Sequence, residues 1–109
     1  MDAFPIAELL ERQRAGTGPW LEFLAVPDMS LGLYVLDTGM ADPQSPHSED
    51  EAYVVLAGRG WLTAAGHARE VGPGDTIFVP AGVPHRFRDI TEQLQVIVAF
   101  APQEGSRAP

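Results

Sequence analysis

The stretch Ser45-Pro46-His47-Ser48-Glu49-Asp50-Glu51-Ala52-Tyr53-Val54-Val55-Leu56-Ala57-Gly58-Arg59-Gly60 carries a polar cluster straight into a β-branched and aromatic run. On one extended strand, at ~3.3 Å per residue, the α-carbons of His47 and Glu51 would lie ~13 Å apart, too far for one small ion with bonds of ~2 Å. A helix would bring the two together. Pro46, the run Tyr53-Val54-Val55 and the stop Gly58-Arg59-Gly60 favour strand instead. The chain is therefore expected to bend, with His47 ending one strand, Ser48-Glu49-Asp50 turning, and Glu51 starting the next antiparallel strand. With both side chains inward, His47 and Glu51 form a candidate ligand pair.

Around this stretch the chain breaks into short strand-like runs at residues 20–26, 31–38, 53–57, 61–65, 76–79, 85–88 and 94–100, separated by Gly and Pro. No helix-length crossover joins them, so an all-β fold of antiparallel strands, a sandwich or a barrel, is expected over residues 18–101. Gly72-Pro73-Gly74-Asp75 reads as a type II turn and Pro80-Ala81-Gly82 as a second turn. Pro84 holds Val83 extended so that His85 begins a strand, with His85 and Phe87 on one face and Arg86 and Arg88 on the other. Residues 2–15 read as a short helix capped by Asp2 and stopped by Gly16. Its narrow apolar face, Ile6, Leu9 and Leu10, must lean on the main body or on a partner subunit. Residues 102–109, with Pro102, Gly105 and Pro109, read as a flexible tail.

A chain of 109 residues with 45% apolar content suits a single domain, residues 1–109, small enough that pairing into a homodimer would help bury surface. Seven basic against fifteen acidic side chains give a net charge of −8, the wrong sign for nucleic acid or an anionic membrane surface. All the basic residues are Arg and there is no Cys, which removes Schiff-base chemistry, thiol nucleophiles and thiolate metal sites. With no basic, apolar leader and no window near the ~20 apolar residues of a membrane span, a cytoplasmic protein is expected.

Two blocks resemble the paired motifs of the cupin superfamily, in its small single-domain, conserved-barrel form. Gly39, His47, Glu51 and Gly58 match the first motif, with His47 in the second of its two His positions; Gly74, Pro80, Gly82 and His85 match the second, with Asp89 where Asn is usual. The resemblance implies an antiparallel jelly-roll β-barrel with the short helix outside it. It also implies a divalent metal (Fe, Mn, Ni or Zn) held by His47, Glu51 and His85. Ser45 stands where the family has its first His, and a neutral hydroxyl is a poor ligand for such an ion.

Spacing alone favours the same three residues as a hydrogen-bonded polar cluster without a metal; the two-motif resemblance tips the reading to a metal site. Glu49 and Asp50 read as a solvated turn, and His67 as an exposed residue of a hairpin turn. Tyr53, Trp61 and Phe87 are the candidates for lining a ligand pocket, although aromatic residues on strands also serve as core. The expected function is a cupin binding one metal and a small organic ligand, with dioxygenase-like or isomerase chemistry. The alternative is a non-catalytic small-molecule or sugar-binding, or structural, cupin.

Overall fold

Two long strands carry the fold. The structure, a computed structural model, describes residues 1–43 and 47–107. Its elements in chain order are α1 (Ile6–Ala15), β1 (Trp20–Val26), β2 (Met29–Leu36), β3 (Asp50–Ala64), β4 (His67–Val71), β5 (Thr76–Val79) and β6 (His85–Ala101). The strands pair antiparallel in the order β1-β2-β6-β3-β4, with β5 also on β3. No helix among the described residues is long and apolar enough to cross a membrane.

β3 and β6 each merge two runs that the sequence separates. Gly58-Arg59-Gly60 does not stop a strand. Gly58, at φ +93°, forms an irregularity through which β3 continues, and the β3–β6 register shifts repeatedly between Val55 and Trp61. Glycine inside a strand more often marks such a bulge, with its added twist, than an end. β6 passes a comparable kink at Asp89, φ +49°. β1 and β5 occupy the expected residues, whereas β2 is displaced toward the N-terminus relative to residues 31–38. His47 ends no strand: β2 stops at Leu36, and turns involving Asp37, Met40 and Gly39 lead into an irregular segment.

β4 gives no strand signal in the sequence because HAREV has no apolar alternation; only Val71 is buried. It forms because Ala65 and Gly66, both at positive φ, make the tight turn that hairpins require, and residues 67–71 then pair with the end of β3. His67 is thus the first residue of an edge strand, exposed as expected. α1 starts at Ile6, not Asp2. Pro5 occupies the cap position, without a side-chain hydrogen bond, and its carbonyl accepts the amides of Glu8 and Leu9.

β2 is buried on both faces, which explains its unbroken apolar run. Leu33 and Val35 pack with Leu9 of α1 and with Phe4, Leu21 and Phe23, so the helix leans on the main body. Tyr34 and Leu36 face the other way, into the principal core with Tyr53, Val55, Phe87, Leu94, Val96 and Phe100. The sheet curls strongly around this core. Glu51 pairs along the ladder with Phe100, and His85 with Ala64, yet the Glu51 and His85 side chains meet in the interior.

Candidate metal centre

The two motif loops are tied to each other by backbone. The Gly82 amide donates to the His47 carbonyl at 2.7 Å, and the Ala81 amide donates to Asp50 Oδ1 at 2.9 Å. The turn before His85 is therefore docked on the segment that carries His47 and Glu51. Nδ1 of His85 lies 2.8 Å from the Val83 carbonyl, which can only accept, so Nδ1 carries the proton and Nε2 presents its lone pair in the neutral ring. That Nε2 sits 2.9 Å from Oε1 of Glu51, with both side chains 2% exposed.

One ligand atom from each of His47, Glu51 and His85 lies within 4.8 Å of the others. The structure thus brings together all three residues that the motif spacing singled out. Glu51 Oε1 is buried with no hydrogen-bond partner among the described residues, despite its closeness to His85. Two imidazoles and a carboxylate, one oxygen of it buried and unbonded, are a donor set that fits a divalent transition ion. Ser45, the departure from the family motif, lies outside the described residues.

Burial works against a charged His85, but its contacts with Glu51 and the Val83 carbonyl and the charges of Glu51 and Asp42 outweigh it, so its pKa is raised. A histidine raised on folding contributes stability that is fully present below its ordinary pKa of about 6.5 and is lost as pH rises through the raised value. Metal-free protein, kept in chelator, is therefore expected to melt at progressively lower temperature as pH climbs from about 6 through the raised His85 pKa. A melting temperature that stays level or rises across that range would contradict the assignment.

A cavity of about 280 Å³ opens beside the cluster, lined by Pro19, Trp20, Tyr34, Pro43, Val98 and Phe100, with His47, Glu51 and Glu104 as its polar members. The three aromatic residues proposed from sequence lie elsewhere. Tyr53 and Phe87 are fully buried in the core, with ring centroids 4.9 Å apart, and Trp61 is 39% exposed; none lines the cavity. Its wall comes instead from Trp20, whose ring lies edge-on to Tyr34 and Phe100 at 5.9 and 6.1 Å. The indole lies against Gly32, where an added Cβ would come within 2.0 Å of the ring. That close approach is the signal a sequence reader could have used for Trp20: a glycine in the middle of an apolar strand.

Three further acids, none a site residue by sequence, bear on the site. Asp42 is 2% exposed and accepts from the Tyr34 hydroxyl and the Phe87 amide, fastening the loop after β2 to β6. Burial and the bond to Asp42 push the Tyr34 phenol well above its usual pKa. Glu49, expected to be solvated, is also 2% exposed, and its two oxygens accept the amides of Gly105 and Arg107. Residues 103–107 are thereby hydrogen-bonded to the sheet and to the loop before β3, and the tail reading does not describe them. Glu104, in that segment, lies 3.5 Å from Nδ1 of His47. Its carboxyl is raised above the usual range by burial and then by the charges of Glu22, Glu51 and Glu49.

The sequence model of the Cupin domain family matches residues 32–100, which hold both motif loops, β3, β4, β5 and all but the last residue of β6. The chain belongs to the cupin family. It is 44% identical over 105 residues to an uncharacterized protein of Streptomyces coelicolor, covering 96% of this cupin and 100% of that protein. It is 36% identical over 74 residues to the dimethylsulfoniopropionate lyase DddQ of Ruegeria pomeroyi, covering 65% of this cupin but only 37% of the lyase. The crystal structure of that lyase superposes with a TM-score of 0.68 at 28% identity, over 78% of this chain and 42% of the lyase chain. A Thermus thermophilus structure superposes with a TM-score of 0.78 at 23% identity over 94% of this chain and 98% of its own, a likeness of fold.

Proposed function

We propose that this cupin binds one divalent transition ion, iron, manganese, nickel or zinc, through His47, Glu51 and His85, and a small organic ligand in the adjoining cavity. In this reading the curled sheet closes into a jelly-roll barrel around the site. The observation that carries the reading is the buried Oε1 of Glu51, without a hydrogen bond among the described residues, 2.9 Å from Nε2 of His85 and within 4.8 Å of a ligand atom of His47. A buried carboxylate oxygen beside two imidazoles calls for positive charge, which a divalent ion held by all three residues supplies.

A bound ion supplies Lewis acidity and open coordination positions. The chain supplies the rest: Trp20 and Phe100 keep water from the apolar part of the ligand, and Tyr34 is held neutral by its burial and its bond to Asp42. Similarity to a lyase acting on dimethylsulfoniopropionate supports a small organic ligand, and a cavity of about 280 Å³ suits one. Oxygenase or isomerase chemistry is the proposed activity. We further take the chain as a cytoplasmic homodimer, supported by the exposed apolar row of Val54, Leu56 and Phe78 on the outer face of β3 and β5.

Calorimetric titration of chelator-stripped protein with each of the four ions is expected to show one site per chain for at least one of them. If none gives binding heat or moves the melting curve, the three residues are a polar cluster sharing a proton. Oxygen consumption by the loaded protein with phenols and keto compounds then separates a catalytic from a non-catalytic metal cupin.

A further inference from the structure

The segment after β6 is built against the site. Glu49 holds the amides of Gly105 and Arg107 at 2.9 and 3.2 Å, Ser30 Oγ accepts the amide of Glu104 at 3.0 Å, and the Pro27 carbonyl accepts that of Gln103 at 3.3 Å. Both side-chain anchors are buried: Glu49 is 2% exposed and Ser30 1%. A buried carboxylate that spends both oxygens on one short stretch of backbone fixes where that stretch goes. The residue between those anchors is Glu104, whose side chain enters the cavity that His47 and Glu51 share.

We infer that Glu104 is a positioning residue of the metal site: its carboxylate, 3.5 Å from His47 Nδ1, keeps the proton on that nitrogen and so turns Nε2 of His47, as a lone pair, to the ion. The inference rests on the metal reading above. His85 already has this arrangement, with the Val83 carbonyl behind its Nδ1. Among the described residues, no backbone carbonyl is hydrogen-bonded to the His47 ring. Its ring is steered by Phe100, 4.7 Å away between centroids, and by the carboxylate of Glu104. A carboxylate behind a ligating imidazole fixes tautomer and ring orientation and makes the lone pair more basic.

Because Glu104 comes from a segment outside both motifs, it is a feature of this chain's own C-terminal stretch.

Two measurements on the full-length protein test this. In metal-free wild type, ¹⁵N-edited spectra of the imidazoles at pH 8 are expected to show His47 as the Nδ1–H tautomer, and Glu104→Ala to move it toward Nε2–H. A loss of packing alone would not exchange the two tautomers. Calorimetry with Mn²⁺ is expected to give about 10- to 100-fold weaker binding for Glu104→Gln, with the metal-free melting temperature unchanged, and no binding for His85→Ala. If His47 keeps its tautomer in Glu104→Ala, or if Glu104→Gln binds Mn²⁺ as tightly as wild type, the positioning role is overturned. If wild type itself binds no Mn²⁺, Ni²⁺, Fe²⁺ or Zn²⁺, the metal reading fails instead, and Glu104 then has no ion toward which to position His47.

Discussion

Replacing His85 with alanine is expected to erase every metal-dependent gain in stability. Because the three ligand atoms converge only in the folded chain, an ion at ~100-fold its dissociation constant adds ~2.7 kcal/mol to the wild type. For a domain of this size that is a rise of about ten degrees in melting temperature. His85→Ala removes one of two imidazoles and leaves Glu51 buried without its partner. The metal-free variant is therefore expected to lose a further few kcal/mol, about 3–5 at most, the cost of breaking a buried charge pair by removing one partner. Native stabilities of ~5–15 kcal/mol leave room for it to stay folded. Melting curves of both proteins, with and without each ion, check this; a variant that keeps the metal-induced rise would remove His85 from the site.

Gly58→Ala is expected to be severely destabilising for a single added methyl. A Cβ there would come within 2.1 Å of the Gln93 oxygen and 2.5 Å of its carbonyl carbon, at φ +93°. Backbone cannot rotate away as a side-chain tip can. Conformational strain of ~1–3 kcal/mol and overpacking of ~1–3 kcal/mol or more combine to about 3–5 kcal/mol. Gly66→Ala is the comparison: its φ is +80°, but nothing lies within 4 Å of the added carbon, so strain alone remains. Unfolding free energies from urea melts should separate the two by about 2 kcal/mol or more, with a correspondingly lower midpoint for Gly58→Ala. Equal midpoints would mean that β6 does not press against β3 at the bulge.

That bulge also marks the limit of what the sequence discloses. Tyr53-Val54-Val55 and Thr76 to Val79 announce strands through β-branched and aromatic content, and both form. Whether Gly58-Arg59-Gly60 ends a strand or bends one depends on Gln93 and Leu94, far along the chain, and no local pattern encodes that contact. The polar strand β4 exists because an edge tolerates exposure on nearly every side chain. His47, Glu51 and His85 were legible because the loops carrying them have fixed spacing, while the cavity wall was not. Trp20, Tyr34 and Phe100 come from three strands and meet only when the sheet curls. Tyr53 and Phe87 look identical in composition but sit on the packed side of it. Glu49 and Glu104 were missed for a related reason: an acid in a turn or a tail is normally hydrated, and only the amides of Gly105 and Arg107 make Glu49 a buried anchor.

The β3–β6 ladder has a kinetic consequence. Its rungs run from Ala64 opposite His85, the pair nearest in sequence, to Asp50 opposite Ala101, the pair farthest apart. Loop closure favours zipping in that order, from the β3–β4 hairpin toward the distant end. Glu51 sits on the next-to-last rung, while His85 is on the first, so the ion's ligands are complete only when the ladder is. Contacts absent from the transition state leave folding rates alone and slow unfolding. An ion bound here is expected to lower the unfolding arm of a chevron plot with little change in the folding arm, acting as a lock on the finished chain and not as a template for it.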